Sequence, residues 1–109
     1  MPDFRSLYRQ GFARVAGCTL PVALADPAAN VARMADMVRA CDAQGVALAV
    51  FPELGVSGYA IDDLRQQDVL LDAVGSALAT LAEATAGLMP VVVAGAPLRH
   101  GDALYNCAV

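Results

Sequence analysis

The sequence contains no lysine: all seven basic residues are arginine, and they are scattered singly. With a net charge of −4 and no basic stripe, the chain offers nothing to neutralise a run of phosphates, which argues against nucleic-acid binding. It has three cysteines, Cys18, Cys41 and Cys107, far apart and without a CxxC pair, so no metal site is expected. Each lies in an apolar segment and reads as a small buried hydrophobe. The single histidine, His100, falls in a polar turn with no partner arrangement around it, and no catalytic role is expected of it. No apolar run is long enough to cross a bilayer, because the helical segments carry Arg, Asp or Glu at intervals. The N-terminus has Asp3, Arg5 and Arg9 with no apolar stretch behind them, which is not a signal-peptide pattern, and a cytoplasmic location is expected. Neither GxGxxG nor GxxxxGK followed by Ser or Thr is present, so no cradle for nucleotide phosphates is expected. GxSxG is missing too, and Ser57 reads as a turn residue rather than a nucleophile.

What the chain does have is apolar surface. Its hydrophobic fraction of 58% against 17% charged excludes disorder. Its 109 residues suffice for one small domain. The organising stretch is Val46 to Tyr59. Six apolar residues, Val46 to Phe51, predict a strand buried on both faces. Pro52 cannot donate to a ladder and should end it. Glu53 then stands just past the carboxyl end of that strand, the edge where open α/β sheets bind ligands. A carboxylate beside such walls suits general-base work near neutral pH. The competing reading makes Glu53 a turn cap or the partner of a surface arginine.

The remaining elements follow in order. Met1 to Gln10 is a polar stretch in which Phe4, Leu7 and Tyr8 form a short helical arm or lie against a partner. Phe12 to Thr19 reads as the first strand. Asp26-Pro27 opens a helix, with Asp26 as N-cap and Pro27 at the first helical position. The helix runs to about Ala43, buries Val31, Met34, Ala35, Val38 and Cys41, and ends at Gly45. Asn30 in its first turns reads as solvated or locally bonded. Asp62-Asp63 begins another helical region, where paired acids suit the helix dipole better than a metal. The second main helix covers Gln67 to Ala86, with Leu71, Val74, Leu78, Leu81 and Thr85 as its buried face and Gly87 at its end. Gly75 inside it suggests close packing on the sheet. Pro90 to Ala96 reads as a third strand stopped by Pro97. A turn at Arg99 to Asp102 leads into a fourth strand, Leu104 to Val109, as a hairpin. The order β-α-β-α-β-β implies parallel strands with right-handed crossovers and both helices on one face. The other face would lack a covering layer.

Phe51-Pro52-Glu53-Leu54 followed by Ser57-Gly58-Tyr59, behind a helix opened by Asp26-Pro27 with Asn30, resembles the nitrilase or carbon–nitrogen hydrolase superfamily. The Val93-Ala94-Gly95-Ala96-Pro97 and Tyr105-Asn106 segments fall where that family has its third and fourth strands. The arm Tyr8-Arg9-Gln10-Gly11-Phe12 with Arg14-Val15-Ala16, Gln67-Asp68 with Leu70-Leu71-Asp72, and Gly95 to Arg99 are similar to the glutaminase domains of glutamine-dependent NAD(+) synthetases.

This resemblance implies the N-terminal part of an α-β-β-α nitrilase-type sandwich. Residues 1–109 would form a partial carbon–nitrogen hydrolase domain, lacking the rest of that domain and any synthetase domain. It also implies a Glu-Lys-Cys triad that cleaves the amide of glutamine, a homo-oligomer, and ATP with magnesium at the synthetase part. Glu53 carries over as the general base, and Tyr59 falls near the site, either as a buried ring packing the loop or as a substrate contact. The triad Lys has no counterpart in a chain without lysine, and the nucleophilic Cys belongs beyond Val109. Cys18, Cys41 and Cys107 do not occupy its place. The chain by itself is therefore expected to lack amidase activity. The alternatives are a stand-alone hydrolase of another amide or nitrile and a non-catalytic α/β module that binds a partner.

Overall fold

The computed structural model describes residues 3–109; of the arm expected over Met1 to Gln10, Met1 and Pro2 lie outside the described residues. A short 3-10 helix at Leu7–Gln10 leads to strand β1 (Val15–Gly17), helix α1 (Pro27–Ala43) and strand β2 (Leu48–Val50). After a 3-10 turn at Asp62–Gln66 come helix α2 (Asp68–Thr85) and strands β3 (Val91–Val93), β4 (Gly95–His100) and β5 (Ala103–Ala108). β1, β2 and β3 form a parallel sheet in that order. Two right-handed crossovers moving in the same direction put α1 and α2 side by side on one face.

The expected boundaries of α1 hold. Asp26 accepts a hydrogen bond from the Ala29 amide at 3.2 Å, and Pro27 is the first helical residue. Gly45, at φ +69°, takes the left-handed conformation just beyond the helix. Val31, Met34, Ala35, Val38 and Cys41 are all buried. In α2 the buried face is Leu70, Val74, Ala77 and Leu81, rotated from the expected set: Leu71, Leu78 and Thr85 are only half-buried. Apolar residues lie nearly all round α2, so periodicity did not fix the face. Gly75 points to solvent, with nothing within 4 Å of where its Cβ would stand, so it serves no close packing on the sheet.

The sheet has one covered face. Ala16, Ala49 and Val92 share a register row toward the helices, and Ala49 is fully buried. The alternate rows carry Val15 at 62% exposure, Val50 at 39% and Val91 at 65%. β2 is therefore not buried on both faces as its apolar run predicts; the described residues cover only one. Among the described residues nothing covers the face that carries those valines.

The third strand departs from expectation. It does not stop at Pro97 but bends at Ala94 and continues as β4, which pairs antiparallel with β5. Ala94 and Val109 exchange both backbone hydrogen bonds at 2.8 Å. Alternation from that pair makes Pro97–Asn106 a non-hydrogen-bonded pair. The missing N–H of Pro97 therefore costs no ladder bond. The hairpin closes on Gly101-Asp102, with Gly101 at φ +59° in the first central position, as a II′ turn requires.

Candidate functional site

Glu53 is placed by the end of β2. The ladder continues through Phe51, whose amide donates to Val93 O at 2.9 Å, and stops at Pro52, which has no N–H to give. The chain then folds into a tight loop: the Gly55 amide donates to Pro52 O at 3.0 Å and the Gly58 amide to Leu54 O at 2.7 Å. Leu54, directly after Glu53, is buried and held at φ +52°. A non-glycine residue in that region carries about 1–3 kcal/mol of backbone strain, which persists only where the surroundings over-determine it.

Two neighbours over-determine this loop, and a third bond set lies within it. Gly95 lies directly beneath it. A Cβ on Gly95 would stand 2.4 Å from Pro52 O, 2.5 Å from Leu54 N and 3.0 Å from the Glu53 carbonyl carbon. Gly95 O in turn accepts from the Val56 amide at 3.0 Å. Asn30 anchors the far side. It is fully buried and donates to Val56 O at 2.9 Å and Ala23 O at 2.8 Å, while its Oδ1 accepts from the Ala23 amide at 2.7 Å. The solvated or local role expected of Asn30 is therefore wrong: it bolts α1 to two loops. Ser57 is fully buried, with Oγ 3.4 Å from Leu54 O and 3.2 Å from Gly58 O, which fits a turn residue rather than a nucleophile.

The Glu53 carboxylate lies in a cavity of about 240 Å³ lined by residues of β2, β3, β4 and β5, among them Gly95 and Asn106. It is exposed rather than walled in. Among the described residues it forms no ion pair with arginine. Its one side-chain partner is Asn106, whose Nδ2 donates to Oε1 at 2.6 Å. Sequence reasoning did not assign Asn106 a role, because the contact joins a loop to a strand of the other sheet.

The remaining candidates separate. Tyr59 is 72% exposed and does not line the Glu53 cavity. Cys18 and Cys41 are buried together, their sulfurs 4.0 Å apart, and burial beside Cys41 pushes the Cys18 thiol up from its ordinary value. Both are remote from nucleophilic duty. Cys107 lines the Glu53 cavity, but strand alternation puts its side chain on the face opposite that of Asn106, across from Ala96. His100 is exposed at the hairpin end, paired with Ala103. Among the described residues no group of three or more His, Cys, Asp or Glu could hold a metal.

A loop carboxylate at the carboxyl end of a parallel strand, with one oxygen held and the other without a protein hydrogen bond among the described residues, can exchange a proton with a neighbouring nucleophile. It cannot supply a nucleophile or an oxyanion partner alone. The chain is 56% identical over 107 residues to the glutamine-dependent NAD(+) synthetase of Mycobacterium tuberculosis, covering 98% of this chain and 16% of that protein. The structure of glutamine-dependent NAD(+) synthetase from Acinetobacter baumannii, in complex with adenosine diphosphate, superposes with a TM-score of 0.78 at 28% identity. That match covers 86% of this chain and 18% of the other. An amidase from Nesterenkonia sp. superposes with a TM-score of 0.65 at 25% identity, over 82% of this chain and 34% of the other. The chain thus spans about a sixth of the synthetases and a third of the amidase. The carbon–nitrogen hydrolase family model matches residues 14–109, from the start of β1 through the hairpin that holds Asn106, and the chain belongs to that family.

Proposed function

We propose that this chain is part of the glutamine-hydrolysing domain of a cytoplasmic, glutamine-dependent NAD(+) synthetase, and that Glu53 is its general base. The observation that carries the proposal is the placement of Glu53. Its loop leaves a parallel strand at Pro52, is clamped by Gly95 and Asn30, and presents the carboxylate to a cavity. The 56% identity to the mycobacterial synthetase supports glutamine as the amide.

In this reading Glu53 takes the proton from a cysteine thiol as the sulfur attacks the carboxamide carbon of glutamine. The same proton then goes to the departing nitrogen, which leaves as ammonia. Water hydrolyses the resulting thioester. The thiol and the lysine that holds the developing oxyanion come from outside residues 1–109, since the chain has no lysine, Cys18 and Cys41 are buried together away from Glu53, and the Cys107 side chain lies on the strand face opposite that of Asn106. The ammonia feeds an ATP-dependent amidation of deamido-NAD, a ligase step. ATP and magnesium belong to that second site. The described residues do not fit them: they contain no metal-ligand cluster, and the sequence has no glycine-rich phosphate loop. The proposal also keeps Tyr59, exposed and outside the lining of the Glu53 cavity, as a substrate contact, and the assembled enzyme as a homo-oligomer.

The test is ammonia release from glutamine by the full-length protein and its Glu53→Gln variant. A base of this kind contributes about 10²–10⁴-fold, so kcat should fall by that factor. Tyr59→Phe should raise KM and leave kcat nearly unchanged. Residues 1–109 alone should release no ammonia. The structural likeness to an amidase favours a second reading, hydrolysis of a small amide or nitrile. It wins if the full-length protein turns over simple aliphatic amides and ignores glutamine.

A further inference from the structure

The strongest unassigned contact is the one between Asn106 and Glu53. We infer that Asn106 is the positioning residue for the Glu53 carboxylate, holding Oε1 so that Oε2 is the oxygen that exchanges the proton. The inference rests on the reading of Glu53 as the base.

Four observations carry it. The Asn106 Nδ2 to Glu53 Oε1 distance is 2.6 Å, a hydrogen-bond contact at the short end for an N–H donor, the direction in which a charged acceptor moves such a bond. An ionised carboxylate only accepts, so the amide must turn its NH₂ toward it, which fixes the orientation of Asn106. When Glu53 takes up a proton on Oε2, Oε1 becomes the carbonyl oxygen and still accepts from the same NH₂. The contact therefore survives both halves of a proton transfer and selects which oxygen does the work. Finally, the register delivers Asn106 to this place. It sits opposite Pro97, and in an antiparallel pair alternate residues share a face, so Gly95, Pro97, Asn106 and Ala108 line the side of the hairpin on which the Glu53 loop rests. The backbone of the loop is clamped by Gly95, but the Glu53 side chain is exposed and has no other side-chain hydrogen bond among the described residues. An exposed glutamate without this bond would sample several rotamers, most of them unproductive.

The experiment uses the full-length protein with Asn106→Leu, Asn106→Asp, Glu53→Gln and the Glu53→Gln/Asn106→Leu pair, each measured for kcat, KM and melting temperature. Asn106→Leu should lower kcat by about 10- to 100-fold, the range typical of a lost orienting partner, with KM changed less than about two-fold. Asn106→Asp has the same shape but sets a second carboxylate against Glu53, so it should be at least as damaging near neutral pH. Asn106→Leu should add nothing on the Glu53→Gln background. A purely structural Asn106 predicts the opposite: Asp tolerated, melting temperature lowered by Leu, and equal losses on both backgrounds. If Glu53→Gln abolishes turnover while both Asn106 variants keep wild-type kcat, the positioning role is overturned and the general base stands. If Glu53→Gln itself stays active, both fall.

Discussion

Gly95 has no room for a methyl group, and Gly95→Ala is a direct test of how the Glu53 loop is held. The Cβ of alanine would stand 2.4 Å from Pro52 O, where real contacts of this kind begin at about 3.0 Å. The loop must therefore retreat by at least the difference, roughly 0.6 Å. The three atoms in the way all belong to the backbone of Pro52, Glu53 and Leu54, so no flexible side chain can yield. Retreat also stretches the bond from the Val56 amide to Gly95 O, now 3.0 Å. Overpacking of this kind costs about 1–3 kcal/mol. A displacement of 1 Å at a catalytic group costs about 10²-fold, so a shift of roughly 0.6 Å corresponds to about ten-fold or more in kcat. The assay is urea unfolding of the full-length protein together with ammonia release at saturating glutamine. Unchanged midpoint and unchanged kcat would refute the reasoning, because the methyl would then have found space that the structure does not contain.

Three further outcomes are expected. Gly75→Ala makes the same chemical change on the exposed face of α2, where a Cβ meets nothing, and should stabilise the protein by about 1 kcal/mol with kcat unaltered, so it also serves as the control for Gly95→Ala. Asn30→Leu removes three hydrogen bonds and strands the Ala23 amide and the Ala23 and Val56 carbonyls; it should cost about 3 kcal/mol or more in urea unfolding and lower kcat through the loop. In iodoacetamide labelling at pH 8, half-buried Cys107 should react first among the three cysteines, while Cys18, buried and with its thiol pushed up, should react only on unfolding. Labelling of Cys18 in the native protein at a rate equal to that of Cys107 would contradict the burial that the structure assigns.

The helix α1 was legible because its signals are local. Asp26-Pro27 specifies the start, Gly45 the end, and a period of 3.6 the buried face. α2 was legible in extent but not in face, because a helix with leucine, valine or alanine at most positions gives no sharp stripe. Leu70 and Ala77 took the core because of where α1 and the sheet lie, which no window of sequence contains. Pro97 misled for a related reason. A proline stops a strand only where its N–H is needed, and whether position 97 pairs through hydrogen bonds depends on its register with Asn106, which is set across the hairpin.

The candidate site divides the same way. The sequence by itself determined where the carboxylate stands: an apolar run closed by Pro52 leaves Glu53 just past the carboxyl end of a sheet strand, and chain geometry requires nothing more. It also determined what is missing, since a chain without lysine cannot supply one. Only the tertiary structure decided what holds Glu53 in place. Gly95, Asn30 and Asn106 come from β4, α1 and β5, and each acts through a distance of a few ångströms to a residue far away in sequence. Contacts of that kind arise from how the elements pack, and packing is a property of the whole fold rather than of any stretch of it.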